Sequence, residues 1–314
     1  MDDLATLHHE ANGGTSTWRW RRERTPPSDH AIAATGFRGA VWADRLPRDA
    51  PNLLLLLHGL GDTPEPFARF ASNMCLPSTS ALSLPAPLPL PHGMPGGMWH
   101  DSFEDDGTLI TDDSHGQWRR LQSLEGVTRP RLRALLRLLV VGCGWRLERI
   151  FLFGFAQGGT AALDLISRTS SIERELPHPL ASPARMGGVV SWCGLPLAVA
   201  AQPCAPTPAD GESGCGGALG SRTPLLLVSG ENDAHAPPTS ARSGFDRLCS
   251  GWRLARDQQA PSYAPTEQAL HIMPGKRQEM VRGPKEAKLL MEFFARHLSL
   301  SSALDDDPDV VRVS

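Results

Sequence analysis

The stretch Phe151–Leu165, FLFGFAQGGTAALDL, runs from an apolar block through a glycine-rich turn into a segment with helical periodicity. Gly154 and Gly158 stand two residues either side of position 156. That spacing suits a strained strand-to-helix turn holding one side chain out at its apex, where a bulky neighbour would obstruct the chain. A turn of this kind presents a nucleophile, yet the apex is Ala156, whose methyl cannot form a covalent intermediate. Two further groups follow in chain order: Asp233 in VSGENDAHAP, just past an apolar run, and His271 in ALHIMPGKRQEM. Nucleophile, acid and imidazole in that order, each near the carboxyl end of a strand, is an arrangement for acyl transfer. The early loop HGLGDT (58–63), with the residue after the apex, Gln157, offers backbone N–H groups for an oxyanion hole.

Each of these residues has a plainer role as well. The two glycines suit any tight strand-to-helix turn. Asp233 can cap the loop or helix that follows it. His271 stands equally for a surface histidine, and His235 is a weaker substitute for it. Cys193, at a strand end, reads as a packed thiol rather than a replacement nucleophile, and neither Ser191 nor Ser229 has an elbow around it.

The elements that must position these groups alternate along the chain. Residues 1–35 are polar and read as a flexible extension, in which WRWRRER (18–24), a basic patch with two tryptophans, reads as a solvated arm or a first edge strand rather than a contact for RNA or lipid headgroups. From Phe37 the spacing predicts strands at FRGAVWA, NLLLLL, 81–84, 149–153, 186–192, 223–230 and 267–273, with NLLLLL apolar on both faces like a buried parallel strand. Helices are expected at 64–72, 127–141, 157–168, 239–250 and 284–298. The Pro/Gly-rich run after residue 84 is a surface loop. Residues 201–222 read as a disordered insertion, and 299–314 as a solvated acidic tail. Strands alternating with helices imply an α/β fold, a mostly parallel sheet with helices on both faces.

Together these pieces resemble the phospholipase/carboxylesterase family of α/β-hydrolases, which includes the acyl-protein thioesterases, over about residues 37–298. The matching pieces are HGLGDT, RIFLFGFAQGGTAALDL (149–165), GVVSWCGLPL (188–197), PLLLVSGENDAHAPP (224–238) and QEM (278–280). The family usually reads G-F-S-Q-G-G where this chain has G-F-A-Q-G-G. The resemblance implies that Ala156 holds the nucleophile position, Leu60 and Gln157 donate the oxyanion-hole N–H groups, and Asp233 is the triad acid. It also implies that Trp99, in GGMWHD (96–101), lines the acyl pocket. Aligned without gaps on QEM, the family's histidine falls on Met273; His271 fits with a two-residue expansion, and strand alternation puts 271 and 273 on one side.

The implied chemistry is hydrolysis of a carboxylic ester or acyl thioester, on a small molecule or a lipidated protein, with no metal or organic cofactor. Losing the serine of such a triad costs on the order of 10⁶ in turnover. The chain therefore reads as an impaired hydrolase that keeps an acyl- or ester-binding pocket. The alternatives are an active esterase or thioesterase using an unrecognised nucleophile or a water, and a deliberate Ser-to-Ala exchange in an active enzyme.

Composition narrows the classes further. The 314 residues carry a formal charge of −3 and 40% hydrophobic residues, enough for one large domain and no broad attraction for nucleic acid. No apolar run reaches membrane-spanning length, and the first residues lack the pattern of a signal peptide, so a cytoplasmic or nuclear protein without stable membrane insertion is expected. The six cysteines (75, 143, 193, 204, 215, 249) have no zinc-like spacing and read as reduced thiols.

Overall fold

A computed structural model describes residues 5–12, 15–22, 24–168, 185–197, 222–257 and 267–299. The expected insertion, apart from Arg222, and the acidic tail, apart from Ser299, lie outside them. Seven strands form the main sheet: β3 (Val41–Trp42), β4 (Asn52–Leu57), β5 (Thr79–Leu84), β8 (Ile150–Phe155), β9 (Gly188–Trp192), β10 (Leu225–Gly230) and β11 (Gln268–Met273). Their order is β11-β10-β9-β8-β4-β5-β3, parallel throughout except for β3 against β5. The predicted strand at FRGAVWA shrinks to the two edge residues of β3, and within the expected Pro/Gly loop β6 (Leu88–Pro89) pairs antiparallel with β7 (Gly97–Met98).

The central strands are apolar on both sides because both faces are covered. Leu53, Leu55 and Leu57 of β4 and Leu152 of β8 point into one cluster with helices α3 (Ser114–Ser123), α4 (Arg129–Arg137), α5 (Gln157–Arg168) and α6 (Pro238–Asp257). Leu54, Leu56, Phe151 and Phe153 point into the other, with α2 (Pro64–Met74) and α7 (Gly283–His297). Each fully buried side chain of this size contributes roughly 1.5–3 kcal/mol. The alternation fixes the register, since a one-residue slip would exchange the two clusters.

The folded domain takes in more of the chain than the boundary at Phe37. Helix α1 (Asp29–Ala34), capped by Ser28 Oγ accepting from the Ala31 N–H at 3.2 Å, buries Ile32 in the first cluster. Ahead of it, β1 (Ala5–Asn12) and β2 (Thr15–Arg22) pair as an antiparallel hairpin separate from the main sheet. The helix expected at 127–141 also begins earlier: Asp113 caps α3 through the Gly116 N–H at 2.8 Å. The helical path then continues through a wide turn at Leu124–Thr128 into α4. In that turn the Arg129 N–H reaches back to the Leu124 carbonyl. The wider spacing makes room for Pro130, whose ring would clash with an ordinary preceding turn.

Candidate active site

Strand β8 ends at Phe155 and α5 begins at Gln157, so the reversal rests on one residue, Ala156, at φ +48°. An L-residue adopts that conformation at a cost, and the surroundings must enforce it. The Ala156 N–H donates to the Trp192 carbonyl at 2.8 Å, and its own carbonyl accepts from the Thr160 N–H at 3.1 Å. The glycines permit the close approach this needs. A Cβ on Gly154 would lie 2.4 Å from the Gly158 oxygen, and one on Gly158 would lie 2.2 Å from the Leu57 oxygen. The elbow is therefore formed in full around a side chain that is only a methyl.

The loop after β4 lies against this elbow. His58 is buried; its Nδ1–H donates to the Gly59 carbonyl at 2.7 Å and its Nε2 accepts the Ala86 N–H at 3.0 Å. Burial lowers the pKa of His58, in keeping with the neutral tautomer those two bonds require. Leu60 is 38% exposed. Gln157, the first helical residue, has a backbone N–H with no partner inside its helix. The structure thus brings the start of the 58–62 loop against the start of α5, with the Leu57 and His58 oxygens facing Gly158.

The Gln157 side chain has a role the sequence reading did not find. Its Oε1 accepts the Trp99 N–H at 2.6 Å, and its Nε2 lies 2.7 Å from Ser102 Oγ and 3.1 Å from the His100 carbonyl. It clamps the 99–102 segment to the elbow. The only sequence signal for this was a long polar residue opening a helix of small and apolar ones. Trp99 is fully buried, with its Nε1–H on the His58 carbonyl at 2.8 Å and its ring beside those of His58 and Phe37. It braces the loop from within the core. His100 beside it is pushed down to about 4 by burial.

On the acid side, Asp233 follows β10 and is 2% exposed. Its Oδ1 accepts the N–H groups of His235 and Ala236, each at 2.9 Å, while its Oδ2 is buried without a hydrogen bond. Among the described residues no imidazole hydrogen-bonds to it. His271 lies within β11, paired with Val228, with its side chain exposed; the period of two placed 271 and 273 correctly on one side but could not say that the strand is an edge. Met273 ends β11 and packs against the second apolar cluster. The segment beyond carries Lys276, buried, with Nζ 2.8 Å from Glu286 Oε2 and lying over the Trp192 ring.

Cys193 lies between the elbow and the acid. It has φ +58°, is buried, and donates its backbone N–H to Val228 at 2.7 Å. Burial pushes its thiol up to about 12, with the charge of Asp233 adding to the effect, so it stays protonated and is no replacement nucleophile. The described cysteines are all free thiols. Among the described residues no cluster of three or more His, Cys, Asp or Glu could hold a metal ion. Among the same residues no helix is long and apolar enough to cross a membrane.

Residues 45–195 match the model of the phospholipase/carboxylesterase family. The matched stretch contains the elbow and the 58–62 loop, whereas Asp233 and His271 lie beyond it. An uncharacterized hydrolase from Mycosarcoma maydis is 39% identical over 119 residues, 37% of this chain and 41% of that one. The chain thus spans less than half the length of that relative. Among solved structures, esterase PE8 aligns with a TM-score of 0.58 at 20% identity, over 82% of this chain and 98% of that one. Acyl-protein thioesterase 2 from Zea mays aligns with a TM-score of 0.52 at 16% identity, over 83% and 99%.

Proposed function

We propose, for an α/β-hydrolase whose residues 45–195 carry the phospholipase/carboxylesterase pattern, that the chain binds acyl esters or acyl thioesters without hydrolysing them. The observation that carries this reading is the elbow itself: a strained apex held at φ +48° by its neighbours, presenting the methyl of Ala156. The oxyanion side of the site supports binding, since the 58–62 loop and the α5 N-terminus are held together by His58, Trp99 and Gln157. The acid side supports the absence of turnover. Among the described residues Asp233 orients no imidazole, and without a base even a hydroxyl at position 156 would be weakly activated. The ligand class, an acyl chain joined to an alcohol or thiol on a small molecule or a lipidated protein, follows from the family's chemistry.

Two measurements test it together. Titration with a non-hydrolysable acyl thioether should give saturable binding, weakened when Leu60 is replaced by proline to remove its backbone N–H. A serine-directed fluorophosphonate should leave the protein unlabelled, and p-nitrophenyl esters should turn over at the buffer rate. Labelling or enzymatic turnover would overturn the non-hydrolytic reading, and absence of saturable binding would overturn the ligand.

A further inference from the structure

The strands carry the elbow and Asp233 at one end, and arginines collect at the other. The four residues ahead of each of β4, β8, β9, β10 and β11 include Arg48, Arg146, Arg149, Arg185 and Arg222, against the carboxylates of Asp49, Glu148 and Glu267. Helix α7 ends on the same side and adds to the imbalance: Glu267 is shared between Arg296 Nη2 at 2.9 Å and His297 Nε2 at 3.0 Å. Arg185 is exposed and stands beside this group. Burial is the main cause of the lowered pKa of His297, and the charge of Arg185 adds to it. Glu148, for its part, is held by Arg146.

The chain leaves the folded domain at this same end. Asn52, the first residue of β4, donates from Nδ2 to the Ser299 carbonyl at 2.9 Å, which fixes the point from which Asp305, Asp306, Asp307 and Asp309 follow in the sequence. Six residues span at most about 20 Å. Neighbouring strands lie about 4.8 Å apart, so the starts of β8, β9 and β10, one, two and three strands away from β4, all fall within that reach. A single exposed ion pair contributes little, whereas several carboxylates facing several guanidinium groups over so short a distance act together. We infer that the acidic segment 305–309 docks within its own chain, along the arginine edge formed ahead of β8, β9 and β10. The elbow lies at the opposite ends of these strands, so the docked segment leaves it uncovered and the inference stands apart from the acyl-binding reading.

The protease Asp-N, which cleaves ahead of aspartate, reads the docking on the full chain, with a free peptide of residues 300–314 as the undocked reference. At about 20 mM NaCl, where charges are little screened, cleavage ahead of Asp305 in the full chain should be slower than in the peptide by about tenfold or more. At about 0.5 M NaCl the two rates should converge. Arg185→Glu should speed cleavage of the full chain about threefold or more at low salt, since it turns an attraction into a repulsion. Arg242→Glu changes the net charge equally but sits near the start of α6, at the elbow's end of the strands, and should leave the rate unchanged. Both arginines are exposed, so neither exchange disturbs the core. Cleavage at the peptide's rate in low salt, or equal effects of the two exchanges, would overturn the inference. Protection that grows with protein concentration would assign the arginine edge to the tail of a second copy, and would overturn docking within one chain.

Discussion

The Ala156 N–H and the Trp192 carbonyl meet at 2.8 Å, which ties the apex of the elbow to the end of the neighbouring strand. The strain at φ +48° is thus carried by the backbone and is indifferent to a hydroxyl on Cβ. Ala156→Ser should change the unfolding free energy by less than about 0.5 kcal/mol. It should also leave p-nitrophenyl ester hydrolysis near the buffer rate. Denaturant unfolding and a stopped-time ester assay check both halves; turnover at the level of an intact triad would mean that a base reaches position 156.

Gly158 is where the elbow tolerates least. A Cβ there would stand 2.2 Å from the Leu57 oxygen and 2.5 Å from the His58 oxygen, both backbone atoms that cannot swing away. Gly158→Ala should cost at least about 3 kcal/mol, at the upper end of the overpacking range. It should displace the loop after β4 along with it. Urea midpoints and loss of thioether binding are the readouts. A variant of wild-type stability would show that the turn can relax.

How much of this was readable beforehand depended on how local the determinant is. The limits of α5 and the residue at the apex follow from glycine spacing within a few residues, and the span expected, 157–168, is the helix observed. Asp233 was legible because it follows an apolar run that can only be a buried strand. His271 was not resolved, because alternation assigns residues to sides of a strand without saying which strand lies at the edge. The clamp made by the Gln157 side chain was invisible for a different reason: its partners, Trp99, His100 and Ser102, are more than 50 positions away. The Pro/Gly composition of residues 85–98 marked that run as loop without saying that it leads into a segment fastened beneath the elbow.

Arg129 of α4 and Asp164 of α5 form a buried bidentate pair, Nε and Nη2 at 2.8 and 2.9 Å from the two carboxylate oxygens. The pair locks the helix behind the elbow to the 114–142 helical arm that braces Trp99 through Thr128. Arg129→Leu alone should destabilise by about 3–5 kcal/mol, because it strands a buried carboxylate. Adding Asp164→Leu should recover most of that loss. The test is a double-mutant cycle in urea; additive losses would show that the two charges are not coupled.

The pH dependence of stability should point to His100. Burial is the largest cause of its low value, about 4 against the ordinary 6.5; Arg120 pushes the same way, while its bond to the Asp101 carbonyl and the charges of Asp101 and Asp112 oppose. The unfolded chain therefore takes up this proton at a higher pH than the folded one, and stability is fully present above 6.5 and lost as pH falls toward 4. The interval corresponds to on the order of 3 kcal/mol. His58 and His297, also lowered by burial, act in the same direction. Because they remain in His100→Asn, the difference between the wild-type and variant profiles isolates the one imidazole. Urea midpoints between pH 7.5 and 4.5 should fall more steeply for the wild type. Superimposable slopes would mean that His100 takes up its proton in the folded state without penalty, and that the segment clamped by Gln157 is open to water.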